Sequence, residues 1–228
     1  MVDLIFDTSS IISLATNNLL DALSDLKKML KGDFLISNSV RKEIIDNPIT
    51  NKKYKFEAIT ISNLVQNNII RIYSKVNIEQ KTIRVLDVSN NIFSAYDNPI
   101  HILDKAEVES LVLTQLLKGV FVVDERNIRL LVEDCKKLAM LLERKLDTKI
   151  KINSNNLKLF KSEISNVSII RSAELMAVAF EKGFFKEYEN SYASKKDILD
   201  GILWGLRLRG CAISTEEIDE LLKIERVK

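Results

Sequence analysis

The chain has 228 residues, 46% of them hydrophobic and 29% charged, and its 34 basic and 32 acidic residues leave a formal charge of +2. That composition excludes a disordered or fibrous chain and supplies enough length for a core without staples. With two cysteines, Cys135 and Cys211, and one histidine, His101, it also excludes a disulfide scaffold and any metal centre built on thiolates or several histidines.

In chain order, residues 2–6 read as a strand, 19–30 as a helix, 34–36 as a strand and 40–45 as a short helix. The polar stretch at 47–55 reads as a surface loop, 56–66 as a helix and 69–73 as a strand. Residues 106–117 form a helical pattern, 120–123 a strand, 128–146 a long helix, 153–156 a loop and 167–170 a strand. Beyond Ser172 the strand signal stops, and 173–181, 195–209 and 215–224 read as helices, the last capped by Ser214 or Thr215. Strand alternating with helix implies an α/β protein whose parallel sheet is covered on both faces. The domain reading is 1–172 as the sheet domain and 173–228 as a helical carboxyl-terminal extension packed on it. MVDLIFDTSS shows no cationic region followed by an apolar stretch, and no apolar run approaches the ~20 residues a bilayer requires. The expectation is a cytoplasmic protein with no membrane partner.

Two strands end in aspartate: Asp7 in LIFDTSS and Asp124 in VFVVDERN. Parallel sheets open to ligands at the carboxyl ends of their strands. Alone, each aspartate reads as the cap of the next helix; together, on matching strand ends, they read as a site. In ILDKAEVESLVLTQLL, placing side chains at ~100° per residue sets Glu109 near the middle of the apolar arc formed by Ala106, Val108, Leu111, Val112, Leu113, Leu116 and Leu117, with Glu107 roughly opposite. A carboxylate on a buried face needs a cation, a proton or an ion pair. Glu107 has a simpler reading, a D-x-x-E capping box with Asp104. Glu109 therefore ranks first and Glu107 second. Glu43, in SNSVRKEIID after the second strand, lies at the margin of a short apolar side.

Several carboxylates at one sheet edge repel each other unless a hard divalent cation neutralises them, and oxygen ligands select Mg²⁺ or Mn²⁺. Such an ion activates water for phosphodiester hydrolysis, so the shortage of histidine is no obstacle. LIFDTSSIISL, SVRKEI, AEVESLVLTQ and VVDERN, in that order, resemble PIN-domain proteins, the metal-dependent ribonucleases that include VapC-type toxins. The four pieces span 2–172, and the helical ending resembles toxin-like members. The stretch 127–166 is longer than in compact members, and Ala106 stands where many have glycine.

The resemblance implies a PIN-like endoribonuclease acting on single-stranded or structured RNA. Its catalytic acids would be Asp7, Glu43, Glu109 and Asp124, with Glu107 beside Glu109 as a further metal ligand. Ser9 would orient a ligand and Arg126 would hold the scissile phosphate. Glu125 and Arg126 resemble members carrying D-D-R at that point. An antitoxin protein and a homodimer are further partners the resemblance implies, and a catalytically inactive module that binds RNA or protein is the alternative function. His101 reads as an ordinary loop histidine beside the acidic helix. Lys136, Lys137, Arg144 and Lys145 follow Arg126 and Arg129 along one helix, and with Lys52, Lys53 and Lys55 they read either as a solvated face or as an RNA-facing patch.

Overall fold

A computed structural model describes residues 2–224; Met1 and the last four residues of the extension expected over 173–228 lie outside them. The chain opens with β1 (Leu4–Phe6), α1 (Thr8–Thr16), α2 (Leu20–Met29), β2 (Phe34–Ile36) and α3 (Asn38–Arg41). A π-helical turn (Lys42–Asp46) runs on into α4 (Asn47–Thr50), followed by α5 (Lys55–Gln66), β3 (Arg71–Ile72), α6 (Glu79–Asn90), β4 (Phe93–Ala95) and β5 (Asn98–Pro99). Then come α7 (Lys105–Leu117), β6 (Val120–Val122), α8 (Arg126–Glu133), α9 (Cys135–Leu146), β7 (Lys151–Ile152) and α10 (Ser154–Glu163). The chain continues through β8 (Ser168–Ile170), α11 (Ser172–Glu181), α12 (Lys195–Leu208) and α13 (Thr215–Ile224).

Five strands form one sheet in the order β3-β2-β1-β6-β8, with every neighbouring pair parallel. Successive side chains alternate between faces. Leu4, Phe6, Phe34, Ile36 and Val122 enter the core under α1, α2, α5 and α11 to α13, where the Phe6 and Phe34 rings meet with centroids 5.5 Å apart. Phe121 and Val123 enter the core under α6 to α10, and Ile5 and Leu35 pack with Leu113 of α7. Cover on both faces is why these strands read as unbroken apolar runs. Gly32 permits the close approach of β2's entry to β1, since a Cβ there would lie 1.8 Å from the Val2 carbonyl oxygen.

Because all five strands are parallel, the residues after each of them share one edge. The chain builds β2 and β3 on one side of β1, then β6 and β8 on the other, so the order reverses between β1 and β6. A crevice opens at such a switch point.

Several elements differ from the sequence reading. A three-stranded antiparallel sheet, β5-β4-β7, was not expected; its strands are two or three residues long and exist only through their pairing. Helices α1, α6 and α10 are also additional. The polar stretch 153–156 starts α10, with the Asn153 Oδ1 accepting from the amides of Asn155 and Asn156, and 47–50 prolongs the helix that contains Glu43. The helix expected over 128–146 breaks at Asp134, whose non-helical backbone (φ −147°, ψ 78°) ends α8. Its carboxylate accepts from the Lys137 amide at 3.0 Å to begin α9.

The extension shares the core of one sheet face and is fastened at its root. Arg171, only 6% exposed, donates to the Ala212 carbonyl at 2.8 Å and pairs with Glu174 and with Glu217, the latter at 3.0 Å. Burial alone would weaken its charge, but the two carboxylates hold its pKa above the ordinary arginine value. Burial likewise disfavours the Glu217 anion, yet the hydrogen bonds from Arg171 and Ser214 outweigh it and bring Glu217 down to about 2. Ser214 caps α13 by accepting from the Glu217 amide. Both cysteines are free and buried, and no helix among the described residues is long and apolar enough to cross a membrane.

Candidate active site

Asp7 leaves β1 into the switch-point crevice and caps α1. Its Oδ2 accepts from the Ser9 amide at 2.9 Å and the Ser9 hydroxyl at 2.6 Å. Its Oδ1 is buried with no hydrogen-bond partner among the described residues. Glu43 sits in the π-helical turn, a local widening frequent at functional sites, where its Oε2 accepts from the Thr8 hydroxyl at 2.6 Å. Across the crevice, Asp104 and Glu107 form the capping box: each carboxylate accepts from the other residue's amide, at 2.8 and 2.9 Å.

These four acids, with Glu125 and His101, line a cleft of about 500 Å³. No lysine or arginine is among its lining residues. The electrostatic consequence is visible in every buried member. Burial pushes Asp7 up to about 6 despite the Ser9 hydrogen bonds. Glu107 is pushed up to about 9, first by burial and then by the negative charges of Asp104, Asp7 and Glu125. Burial also raises Glu43 against the pull of Thr8. The cleft is thus short of positive charge, and a proton or a cation is what stabilises it.

Asp7, Ser9, Glu43 and Glu107 of the sequence-derived set come together here. Glu109, Asp124 and Arg126 go elsewhere. Glu109 accepts from the Ser39 amide at 3.2 Å and lines a separate polar cleft with Lys42 and Lys105. Glu107, not Glu109, lines the acidic cleft, and α7 is buried all round over residues 110–114, with Ser110 and Thr114 sealed as fully as Leu111 while Leu116 is exposed. Such a helix has no single apolar direction. Asp124 is 0% exposed, and both its oxygens are taken: Oδ1 by the Ser172 amide at 2.8 Å and Oδ2 by the Ser172 hydroxyl at 2.7 Å. It anchors the start of α11, and its charge helps push the buried Cys211 thiol, already raised by desolvation, up to about 12. Arg126 faces away from the acidic cleft into a second one. Sequence reasoning did not assign Asp104 and Glu125 to the site; the signal for Glu125 was the run of two acids at the end of β6.

As placed, no three aspartate, glutamate, histidine or cysteine side chains among the described residues converge on one point. The donor chemistry nevertheless fits a hard divalent cation, since every acid in the cleft offers oxygen and the buried Oδ1 of Asp7 lacks a partner. No protein-family model, curated protein or solved structure matches the chain.

Proposed function

We propose that the acidic cleft is the active site of a PIN-like, Mg²⁺- or Mn²⁺-dependent endoribonuclease that hydrolyses phosphodiester bonds of single-stranded or structured RNA. The observation that carries the reading is the buried Asp7 carboxylate. One of its oxygens is unpartnered, at a sheet switch point, facing further carboxylates and no basic side chain among the cleft's lining residues. A divalent cation there supplies neutralisation of these charges and activation of water against phosphorus. Asp7 and Glu107 are the residues that would hold it. Ser9 fixes one Asp7 oxygen while the other has no partner among the described residues, and Glu43, steadied by Thr8, takes a proton from the attacking water. The nucleophile is water, so no covalent enzyme intermediate forms.

Cleavage of a labelled single-stranded RNA, measured in Mn²⁺ and in EDTA, tests this. The wild type should cut only in Mn²⁺, and Asp7→Asn and Glu107→Gln, each folded, should lose about a hundredfold or more in rate. Mn²⁺ at about a hundred times its dissociation constant should also stabilise the wild type by about 2.7 kcal/mol. Absence of both cleavage and stabilisation would move the reading to a module that binds RNA or protein without cutting.

A further inference from the structure

Beside the acidic cleft, on the other flank of the β6–α8 turn, lies a larger one of about 700 Å³ between α8, α9 and the segment leading into α13. The break at Asp134 makes it. By ending α8 and starting α9, Asp134 brings Arg126 and Arg129 of one helix and Lys137 and Arg144 of the other onto the same cavity. None of these four cations is ion-paired to a carboxylate among the described residues. Of the two acids in the wall, Glu217 is already engaged by Arg171 at 3.0 Å, which leaves Glu133 alone against four positive charges.

Arg129 points to a ligand independently of that charge count. Its Nη2 donates to the Ala212 carbonyl at 3.3 Å, which holds the guanidinium in the cleft wall, yet its buried Nε has no acceptor among the described residues. An unsatisfied guanidinium N–H is costly, so the fold leaves Arg129 with unspent hydrogen-bonding capacity in the wall of this cleft. The charges are also spread out. Lys137 and Arg144 are seven residues apart on α9, about 10.5 Å along its axis, so the cleft matches a chain of anions better than a single ion. Glu125 lines the acidic cleft and the next residue, Arg126, lines this one.

We propose that this basic cleft is a binding track for the phosphodiester backbone of a single-stranded RNA that passes over the β6–α8 turn from the acidic cleft. The relation to the cut bond rests on the nuclease reading; the binding does not. The cleft belongs to the carboxyl-terminal half of the chain, since its walls are α8, α9 and the extension.

The test is anisotropy of a labelled oligouridylate with the full chain in EDTA, as sodium chloride is raised. The wild type should bind in EDTA and release the oligouridylate as salt rises. Lys137→Ala/Arg144→Ala, which removes two long side chains without touching the Arg129 contact to Ala212, should bind about tenfold or more weakly, with the slope of log affinity against log salt reduced by about 1.4. Lys28→Ala/Lys31→Ala, the same charge change where the chain enters β2 at the opposite edge of the sheet, should keep wild-type affinity. Three outcomes would overturn the proposal: equal affinity in the Lys137/Arg144 variant, equal loss in the Lys28/Lys31 variant, or tighter binding of polyglutamate than of the oligouridylate through the same side chains, which would assign the cleft to an acidic protein. RNA binding in EDTA with no cleavage in Mn²⁺ sinks the nuclease reading and leaves the track standing; cleavage in Mn²⁺ with binding indifferent to Lys137 and Arg144 does the reverse.

Discussion

Asp7 and Asp124 follow the neighbouring parallel strands β1 and β6, but Phe6 pairs with Val122, so Asp7 lies level with Val123 and Asp124 one residue further on, and the protein uses the two in opposite ways. Asp7 and Asp124 are both buried, at 2% and 0% exposure, and Ser9 touches both, donating to the Asp7 carboxylate and accepting from the Asp124 amide at 3.1 Å. Yet Asp124 has both oxygens satisfied by Ser172, while Asp7 keeps one oxygen without a partner. The difference lies in what each faces: the first turn of α11 on one side, an acidic cleft on the other. A strand-end aspartate is structural when its lone pairs are filled by the fold and available for chemistry when they are not.

That contrast can be broken most forcefully at Asp124. Asp124→Ala leaves the buried Ser172 amide and hydroxyl unpaired, so denaturant unfolding should show a loss of about 2–4 kcal/mol. A change under about 0.5 kcal/mol would show that Asp124 does not hold the extension. The acidic side should respond with the opposite sign. The folded pKa of Glu107, about 9, lies above its ordinary 4.5, so its contribution to stability is whole below about 4.5 and is lost as pH rises through 9. Asp104, Asp7 and Glu125, which face it, drive the same trend, as does the rise of Asp7 to about 6. Unfolding in EDTA should therefore find Glu107→Gln more stable than wild type by about 1–2 kcal/mol at pH 7, with the advantage gone at pH 4. The smallest effect belongs to Glu217, whose folded pKa is depressed to about 2 from 4.5. Its stabilisation is present above about 4.5 and disappears as pH falls toward 2. At 40% side-chain exposure, solvent screening keeps the loss in Glu217→Gln below about 1 kcal/mol, readable as a difference in stability at pH 6 that closes in acid.

The sheet was legible because its three central strands, β2, β1 and β6, are buried on both faces, which leaves an unbroken apolar run in each; the edge strands β3 and β8 keep exposed Arg71 and Ser168. Helix α1 was not, because TSSIISL looks like a polar loop. In the fold Ser10 is sealed and its hydroxyl donates to the carbonyls of Asp7 and Val122, so a serine behaves as a core residue once its hydrogen bonds are supplied. The site was half legible. Asp7 and Glu43 follow strands, and strand ends can be read from pattern. Glu107 was ranked below Glu109 because a helix buried nearly all round offers no arc to read. Between Asp124 and Glu125, consecutive side chains project to opposite sides, and only the position of the extension decides which one is buried beneath it. The basic patch was half legible too: its residues lie along one stretch of sequence, but the break at Asp134 that folds them onto one cavity depends on a backbone conformation that no periodicity announces.

The fastening of the extension also sets a timetable. Asp124 is made long before Ala212, yet its backbone carbonyl accepts from the Ala212 amide at 3.1 Å, and Ala212, Ser214 and Glu217 form one wall of the basic cleft. The four cations of that cleft precede this wall in the chain, on α8 and α9, and the wall that completes it comes from the extension. Contacts of such long sequence separation form slowly. What the late residues add is restraint: the Ala212 carbonyl accepts from Arg129 at 3.3 Å and so fixes one of the four cations in the cleft wall.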